Sequence, residues 1–342
     1  MARGMAGSKG GVPGPRRRGP RAPRAAAAGG GPAAAAAGLF RWAEAAGVKA
    51  PGVAPEDFAG LRGLVARRRL GPGDVLISVP RSLAFEVTTR RGKCPAEGLM
   101  SSDAWNRQAW WVKMSLLLLS EKAKGPASER GEYLRSLPRE HGTPLHWAEA
   151  DVAELQVEYI IAGVAEQRRE WTRIHRELVP ACSGLDVPWE DFVWAAETVR
   201  SRSFSGPYEG SDYEERLQQL VFLAALVGVY LLSGAGPASN AINGTASVLC
   251  FLVLKDLYTQ KNPNSLRYAM CPVIDLCNHT SRAESDVSYE YFLNSFSLTT
   301  KNLFEPGDQV YISYGKRSND ELLQYYGFVS CLPGGTARGG RD

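Results

Sequence analysis

The alternation of apolar and polar positions predicts short strands near both ends of the folded chain. Leu61–Ala66 and Val75–Val79 have the apolar, β-branched character of strands, and the turn-forming segment Gly71–Asp74 lies between them. Val287–Leu298, rich in Tyr and Phe, has the same character, and Glu305–Asp308 is typical of a type I or II turn. The pattern therefore predicts several short strands and small β-sheets.

Helical spacing of apolar positions precedes the first strand and fills the middle of the chain. Pro188 suits the first turn of a helix, because proline lacks the N–H that this turn leaves unused. Strands and helices together predict an α+β fold. The predicted helices are Leu39–Ala46, Trp105–Lys122, Ala127–Leu137, Glu149–Leu178, which we expect to be interrupted, and Pro188–Arg202.

The segment 217–254 contains no charged residue. Leu220–Leu232 and Ala246–Leu254 are dense in apolar residues, and the Gly-, Ser- and Asn-rich Ser233–Thr245 separates them, so two apolar helices joined by a loop are expected. Helices that face water carry a polar stripe, and neither segment has one. We therefore predict a hairpin insert that projects from the body of the protein and contacts a membrane. Packing of the hairpin on its own domain is the alternative.

Polar and aromatic residues that could form a pocket follow two apolar strands near the carboxyl end. Asn278 and His279 come shortly after the apolar run Cys271–Ile274, which we expect to be a strand. Tyr314 follows a second apolar segment, and the aromatic cluster Tyr325–Phe328 comes soon after it. Strand ends and the loops beyond them commonly form small binding pockets.

These motifs resemble those of a known family. Asp-x-x-Asn-His at 275–279, Tyr-Ile-x-Tyr-Gly at 311–315 and Tyr-Gly-Phe at 326–328, in this order, resemble the C-terminal half of a SET domain. The branch that they resemble contains the plant Rubisco large-subunit lysine methyltransferase and the actin-histidine methyltransferase. Gly63-Leu64 is similar to the Gly-x-Gly-Leu strand that opens SET domains, and Arg200–Ser205 is similar to the end of the helical insertion in this branch.

The resemblance implies a domain layout. A SET domain would occupy residues 38–330, with small β-sheets and a knot-like C-terminal crossing, and a helical insertion would interrupt it at about 100–200. The relatives usually continue into a helical substrate-binding domain, and this chain has no complete counterpart of it. The family also has an acidic residue near the opening strand, where this chain has Gly60 or Leu61.

The resemblance further implies a cofactor, S-adenosylmethionine, and a role for individual residues. Tyr314 would be the catalytic residue, orienting the acceptor amine. Arg202 would bind the methionine carboxylate with its forked guanidinium, and main-chain groups near Arg62 and Leu64 would touch the cofactor. The implied cofactor-binding residues are Arg62, Leu64, Ser201, Arg202, Asp275, Asn278, His279, Tyr326 and Phe328.

The leading hypothesis is therefore an S-adenosylmethionine-dependent protein-lysine N-methyltransferase acting on a protein substrate. Methylation of a protein histidine is the alternative within the enzyme class, since the same branch contains that activity. A catalytically silent SET-like membrane scaffold is the alternative from another class, suggested by the uncharged segment. The presence of Arg202, Asn278 and Tyr314 together favours an enzyme.

Charge and cysteine content narrow the partners and the location. The net charge is +4, but seven Lys and Arg lie among the first 40 residues, so the rest of the chain gives no argument for nucleic-acid binding. Residues 1–37 are predicted to be a disordered basic tail or a transit peptide, and residues 331–342 a disordered tail. The plant character of the resemblance favours the chloroplast over the cytoplasm. The six cysteines form no CxxC pair, which predicts free thiols and no zinc.

Overall fold

In the described part of the chain, three small β-sheets and a helical middle section form the fold. The structure is a computed structural model that describes residues 32–58, 60–206, 213–234, 236–261, 266–290 and 293–330. The helices are α1 (Pro32–Ala45), α2 (Ser102–Arg107), α3 (Trp110–Ala123), α4 (Gly131–Ser136), α5 (Glu149–Ala153), α6 (Glu158–Leu178), α7 (Trp189–Arg202), α8 (Tyr213–Ser233), α9 (Ala238–Lys261) and α10 (Asn319–Tyr326). The strands are β1 (Val53–Phe58), β2 (Leu61–Ala66), β3 (Val75–Pro80), β4 (Phe85–Thr88), β5 (Phe204–Gly206), β6 (Arg267–Met270), β7 (Asn278–His279), β8 (Ser285–Glu290), β9 (Ser295–Thr300) and β10 (Gln309–Ile312).

The sheet topology brings distant parts of the sequence together. The sheets have the orders β1-β2-β10-β7, β3-β9-β8 and β4-β6-β5. In the first sheet, β10 runs antiparallel to β2, with Val310 opposite Leu64. On its other side β10 runs parallel to β7, so that Tyr311 lies opposite Asn278. The segment after β10 therefore lies beside the Asn278-His279 pair.

Several predicted elements are divided or paired differently in the structure. The predicted strands around residues 61–66 and 75–79 exist, but they lie in different sheets, and β2 pairs instead with β1, which the sequence pattern did not predict. Val287–Leu298 is not one strand, since β8 and β9 divide it into a hairpin. Trp105–Lys122 is likewise divided, because Gln108, between α2 and α3, is extended.

The predicted strand Cys271–Ile274 is wrong. β6 ends at Met270, and Val273 has a φ of 72°, an uncommon and strained conformation for a β-branched residue. This turn leads into a short 3₁₀ helix, Ile274–Leu276, with buried side chains. The chain direction changes here, and Asp275 lies inside the protein rather than at the end of a strand.

The helical section packs onto the sheets through a continuous apolar core. Helices α3 and α7 lie against each other, and Met114, Leu116 and Phe192 are fully buried between the elements. An aromatic cluster extends the core towards α6, since the rings of Trp111 and Trp171 stack at 5.2 Å between centroids. Burial of large apolar side chains on several elements fixes the position of the end of α7, where Arg202 lies.

Helices α8 and α9 form a hairpin between β5 and β6. The strands that precede and follow the hairpin are neighbours, because Gly206 pairs with Arg267 in the β5–β6 ladder. The connection is shorter than predicted: α9 begins at Ala238, so Asn240 and Asn243 lie inside the helix. Large apolar side chains along the hairpin are exposed: Leu217, Leu220, Val221, Phe222, Leu226, Val229, Leu231, Leu232, Ile242, Val248, Leu249, Phe251, Val253 and Leu254. In the described part of the chain, no helix has the length and apolarity needed to cross a membrane.

The terminal predictions lie partly outside the described residues. Helix α1 begins at Pro32, before the start of folded sequence predicted at residue 38. Residues 1–31 and 331–342, which contain most of the two predicted tails, are outside the described part of the chain.

Candidate functional site

The parallel pairing of β7 with β10 places Tyr314 next to His279. The backbone N–H of Tyr314 donates to His279 Nδ1 at 3.1 Å, and the two rings stack at 5.0 Å between centroids. The ring of Tyr326, at the end of α10, also stacks on the Tyr314 ring, with 5.1 Å between the centroids. The Tyr314 hydroxyl donates to the carbonyl oxygen of Cys277 at 2.8 Å. The phenol is thus held in one orientation by contacts at its backbone, its ring and its hydroxyl.

The hydrogen bond at His279 decides what this imidazole can do. Because Nδ1 accepts a backbone N–H, the neutral ring carries its proton on Nε2 and has no free acceptor nitrogen. Burial lowers the pKa of His279, which keeps the ring neutral. His279 therefore positions the segment after β10 and is unsuited to act as a general base.

Tyr314 remains a protonated phenol at neutral pH. Burial raises the pKa of Tyr314 well above its ordinary value, although the nearby positive charge of Arg202 opposes this shift. A protonated hydroxyl can both donate and accept a hydrogen bond. Because its hydrogen is donated to the Cys277 carbonyl, the oxygen can accept an N–H from an amine and leave the amine lone pair free.

A buried ion pair lies close to Tyr314. Arg202 Nη1, at the end of α7, donates to the backbone oxygen of Asp275 at 2.8 Å and to its Oδ2 at 3.1 Å. The fully buried Tyr133, from α4, donates its hydroxyl to the same Oδ2 at 2.8 Å. Two helices that are distant in sequence, α4 and α7, therefore hold the Asp275 carboxylate.

One donor and one acceptor in this ion pair are left without a partner. In the described residues, Arg202 Nε and Asp275 Oδ1 are buried and form no hydrogen bond. Buried polar atoms without a partner are rare and point to a missing ligand or water. A donor beside an acceptor fits the head of an α-amino acid, whose carboxylate accepts and whose ammonium donates. The pair thus suits the methionine part of S-adenosylmethionine.

Strand β2 forms a second wall by close backbone approach. Asn278 Nδ2 donates to the backbone oxygen of Arg62 at 3.0 Å. A Cβ atom on Gly63 would lie 2.8 Å from Asn278 Nδ2 and 2.6 Å from Gln309 Nε2, so a larger residue would displace these two side-chain amides. Leu64 is fully buried in the core. Glycine between these two residues therefore brings β2 against the Asn278 side chain.

The end of α10 supplies the aromatic wall. Gly327 ends the helix with a φ of 77°, and a Cβ atom there would lie 3.0 Å from the carbonyl carbon of Gly142. This tight turn directs the ring of Phe328 to 6.3 Å from both His279 and Tyr326. The three rings and Tyr314 form one aromatic cluster.

Comparison with known proteins identifies the fold. The chain aligns with a crystal structure of the SET domain of LSMT bound to lysine and AdoHcy, with a TM-score of 0.59 and 18% identity, over 86% of this chain and 57% of that one. The structure of Rubisco LSMT bound to AdoMet aligns with a TM-score of 0.58 and 20% identity, over 86% of this chain and 56% of that one. The chain has a SET-domain fold. The predicted α+β class and the predicted resemblance are thus confirmed.

The chain is also similar in sequence to curated protein methyltransferases. The chloroplastic [fructose-bisphosphate aldolase]-lysine N-methyltransferase of Arabidopsis thaliana is 26% identical over 305 residues, covering 84% of this chain and 49% of the relative. The actin-histidine N-methyltransferase of Mus musculus is 24% identical over 302 residues, covering 85% and 41%. The chain thus spans about half the length of these curated relatives or less. No family model matches it.

Most of the predicted site residues of the SET domain lie together. Asp275 contacts Arg202, Asn278 contacts Arg62, and His279, Tyr314, Tyr326 and Phe328 form the aromatic cluster. Ser201 is different, since its hydroxyl donates to the backbone oxygen of Glu197 at 2.7 Å within α7. Its contact with a cofactor remains a prediction, as do the other assigned roles.

Two further residues at this site were not found from the sequence. Tyr133 belongs to a helix of the insertion, and nothing in the sequence pattern indicates that it reaches Asp275. Arg200 lies 4.2 Å from the ring centroid of Tyr325, and burial lowers the pKa of its guanidinium. In the described residues, no group of three or more His, Cys, Asp or Glu side chains could hold a metal ion. The cysteines described are free thiols, and Cys331 lies outside the described residues.

Proposed function

We propose that this SET domain is an S-adenosylmethionine-dependent protein N-methyltransferase that acts on a lysine side chain. The observation that carries the proposal is the unpartnered donor and acceptor of the Arg202–Asp275 pair close to the fixed hydroxyl of Tyr314. Curated relatives named as protein-lysine and protein-histidine methyltransferases support the reaction class. Nothing in the comparisons favours a catalytically silent scaffold.

The residues of the pocket have separate roles in holding the cofactor. Arg202 Nε binds the methionine carboxylate, and Asp275 Oδ1 accepts from the ammonium. Asn278 and the main chain at His279 hold the adenosine part, and Tyr326 and Phe328 form an aromatic wall. When bound, S-adenosylmethionine supplies an electrophilic methyl group on a positively charged sulfur.

The acceptor amine must reach this site without its extra proton. A lysine ammonium has a pKa near 10.4 in water, and transfer into an aromatic, dry pocket disfavours its charged form. The amine loses that proton to water before transfer, because His279 offers no acceptor nitrogen. The Tyr314 hydroxyl then orients the neutral amine so that its lone pair faces the methyl group.

Two measurements test the proposed function. Calorimetry with S-adenosylhomocysteine tests cofactor binding, and incubation of plastid protein extract with the purified chain and methyl-labelled S-adenosylmethionine tests transfer. We expect binding, and label on lysine after hydrolysis of the extract proteins. Label on histidine would support the alternative, for which the actin-histidine relatives speak. Absence of any binding of S-adenosylhomocysteine would contradict the proposal.

We propose the chloroplast as the location, with the cytoplasm as the alternative. The chloroplastic relative supports this location. Import of a fluorescent fusion of the full chain into isolated chloroplasts would test it. A fusion that remains outside would favour the cytoplasm.

We also propose that the α8–α9 hairpin contacts a lipid surface. At about 100° per residue, Val221, Leu226 and Leu231 point in three directions around α8, at about 0°, 140° and 280°. Each is at least half exposed. A groove on a protein partner covers one face of a helix, whereas lipid covers all of them. The absence of charge from 217 to 254 also suits an apolar environment.

A further inference from the structure

The site contains a second arginine, Arg62, which forms no ion pair within the described residues. Arg62 Nη1 donates to the backbone oxygen of Ser136 at 2.7 Å, at the end of α4. Tyr133, on the same helix, donates to Asp275, which pairs with Arg202. Arg62 and the Arg202–Asp275 pair therefore contact residues three apart in sequence on α4, which are neighbours on a helix surface. In the described part of the chain, no carboxylate forms an ion pair with Arg62.

The cluster therefore holds one more positive charge than negative. Arg62 and Arg202 are both cations, and Asp275 is the carboxylate that they share. Burial lowers the pKa of Arg62, the charge of Arg202 lowers it further, and Asp275 and Tyr133 oppose these effects. An uncompensated buried charge is unfavourable, so an anionic group of a ligand would complete the cluster.

The sequence of β2 supports the same conclusion. Gly60 or Leu61 stands where the SET domains that the chain resembles usually have an acidic residue. The carboxylate opposite Arg62 in the β1–β2 ladder, Asp57, is exposed and accepts from the Gly60 N–H instead. The backbone oxygen of Arg62 already accepts from Asn278, which places the start of the side chain beside a predicted cofactor-binding residue.

We propose that the Arg62 side chain is a specificity-determining residue that binds the ligand carboxylate together with Arg202. The two guanidinium groups would form a clamp that selects ligands with an intact α-carboxylate. This inference rests on the proposed function, because it assumes a ligand of the S-adenosylmethionine type. A purely structural role, fastening the end of α4 through Ser136, is the competing explanation.

A comparison of two ligands separates these explanations. S-adenosylhomocysteine has the carboxylate, and its decarboxylated analogue lacks only that group. Calorimetry would measure both ligands on the wild-type chain, Arg62→Met and Arg62→Lys. Methionine keeps much of the apolar stem and removes the charge, whereas lysine keeps the charge and loses the fork. Arg202→Ala serves as a positive control for loss of carboxylate binding.

We expect Arg62→Met to weaken S-adenosylhomocysteine roughly 10-fold or more, as for loss of a charge-assisted hydrogen bond, and to leave the decarboxylated analogue within about 3-fold. Arg62→Lys should lose less, and it replaces Arg62→Met if the latter fails to fold by circular dichroism. Equal weakening of both ligands, or of neither, would overturn the inference and leave the proposed function intact. A wild-type chain that binds neither ligand would overturn both.

Discussion

The hydroxyl of Tyr314 is fixed by the fold at the site proposed to bind the acceptor amine. Its ring is stacked by His279 and Tyr326, and its hydroxyl donates to the Cys277 backbone oxygen. A donor already engaged with a backbone carbonyl has its oxygen lone pairs free for another group. The acceptor amine can therefore bind to this oxygen without displacing the existing contact.

Tyr314→Phe tests this role, since it removes one hydroxyl and keeps the ring. Turnover should fall by roughly 10²-fold, because the acceptor loses its orienting contact, while binding of S-adenosylhomocysteine should change little. Methyl transfer from labelled cofactor and calorimetry would measure the two quantities. Tyr311→Phe is a matched control, since the Tyr311 hydroxyl bonds Gln309 outside the aromatic cluster. Normal turnover of Tyr314→Phe would make Tyr314 an ordinary core aromatic.

At the scale of elements, hydrogen bonds attach the loop 141–146 of the helical insertion to α7, close to the aromatic cluster. His146 Nε2 lies 2.6 Å from Glu197 Oε2, Thr143 donates to the other oxygen of Glu197, and His141 Nε2 lies 2.9 Å from the Thr198 hydroxyl. The same loop contacts Gly327, which precedes Phe328. The stability of this loop therefore affects the position of the aromatic cluster.

The two histidines predict opposite pH dependences in different intervals. Burial lowers the pKa of His141 from 6.5 to about 4, so between these values the unfolded chain binds a proton that the folded chain does not. The free energy of unfolding should therefore decrease as pH falls, by about 1–2 kcal/mol from pH 6.5 to 5. The hydrogen bond to Glu197 raises the pKa of His146, so its contribution is complete below pH 6.5 and is lost as pH rises.

Urea unfolding of His141→Gln and His146→Gln at several pH values would measure these contributions. His141→Gln should flatten the pH profile of the free energy of unfolding between pH 6.5 and 5. His146→Gln should flatten this profile above pH 6.5. Profiles with the same slopes as the wild-type chain would show that neither histidine is coupled to folding.

Local sequence predicted some elements and missed others for a physical reason. β2 and α7 have clear apolar patterns of their own, and both were predicted close to their observed bounds. β1 contains Pro55, Glu56 and Asp57, and it is a strand because β2 pairs with it. β7 has two residues, too few for a pattern to show. Motifs therefore located Asn278, but pairing alone determined its surroundings.

At the scale of the whole molecule, the site depends on segments from most of the chain. Arg62, Tyr133, Arg202, Asp275 and Tyr314 come from a strand, two α-helices, a 3₁₀ helix and a loop. The sequence resemblance named four of these for the site, and the fifth, Tyr133, required the fold. The α8–α9 hairpin is different, because its packing is mainly between its own two helices.

The hairpin should determine whether the whole protein attaches to membranes. Leu226 and Val229 are 51% and 67% exposed. Replacing both with Lys should cost about 2.5 kcal/mol each if they enter hydrocarbon, and should reduce flotation with liposomes of chloroplast lipid composition. Methyl transfer by the variant in solution should remain.

Leu303→Lys is the matched control, since Leu303 is 52% exposed and lies outside the hairpin. This variant should float as the wild-type chain does. A wild-type chain that is monomeric without detergent and does not float with liposomes would contradict the membrane proposal.

The adjacency of Gly206 and Arg267 has a consequence for how such a protein can change over evolution. The described helices α8 and α9 lie between these two paired residues of the β5–β6 ladder. A lineage could lengthen, shorten or lose this hairpin and join the strands by a tight turn, since short turns suffice for antiparallel neighbours. On the proposed roles, methyl transfer and membrane contact would then be inherited as separable traits, each open to selection without the other.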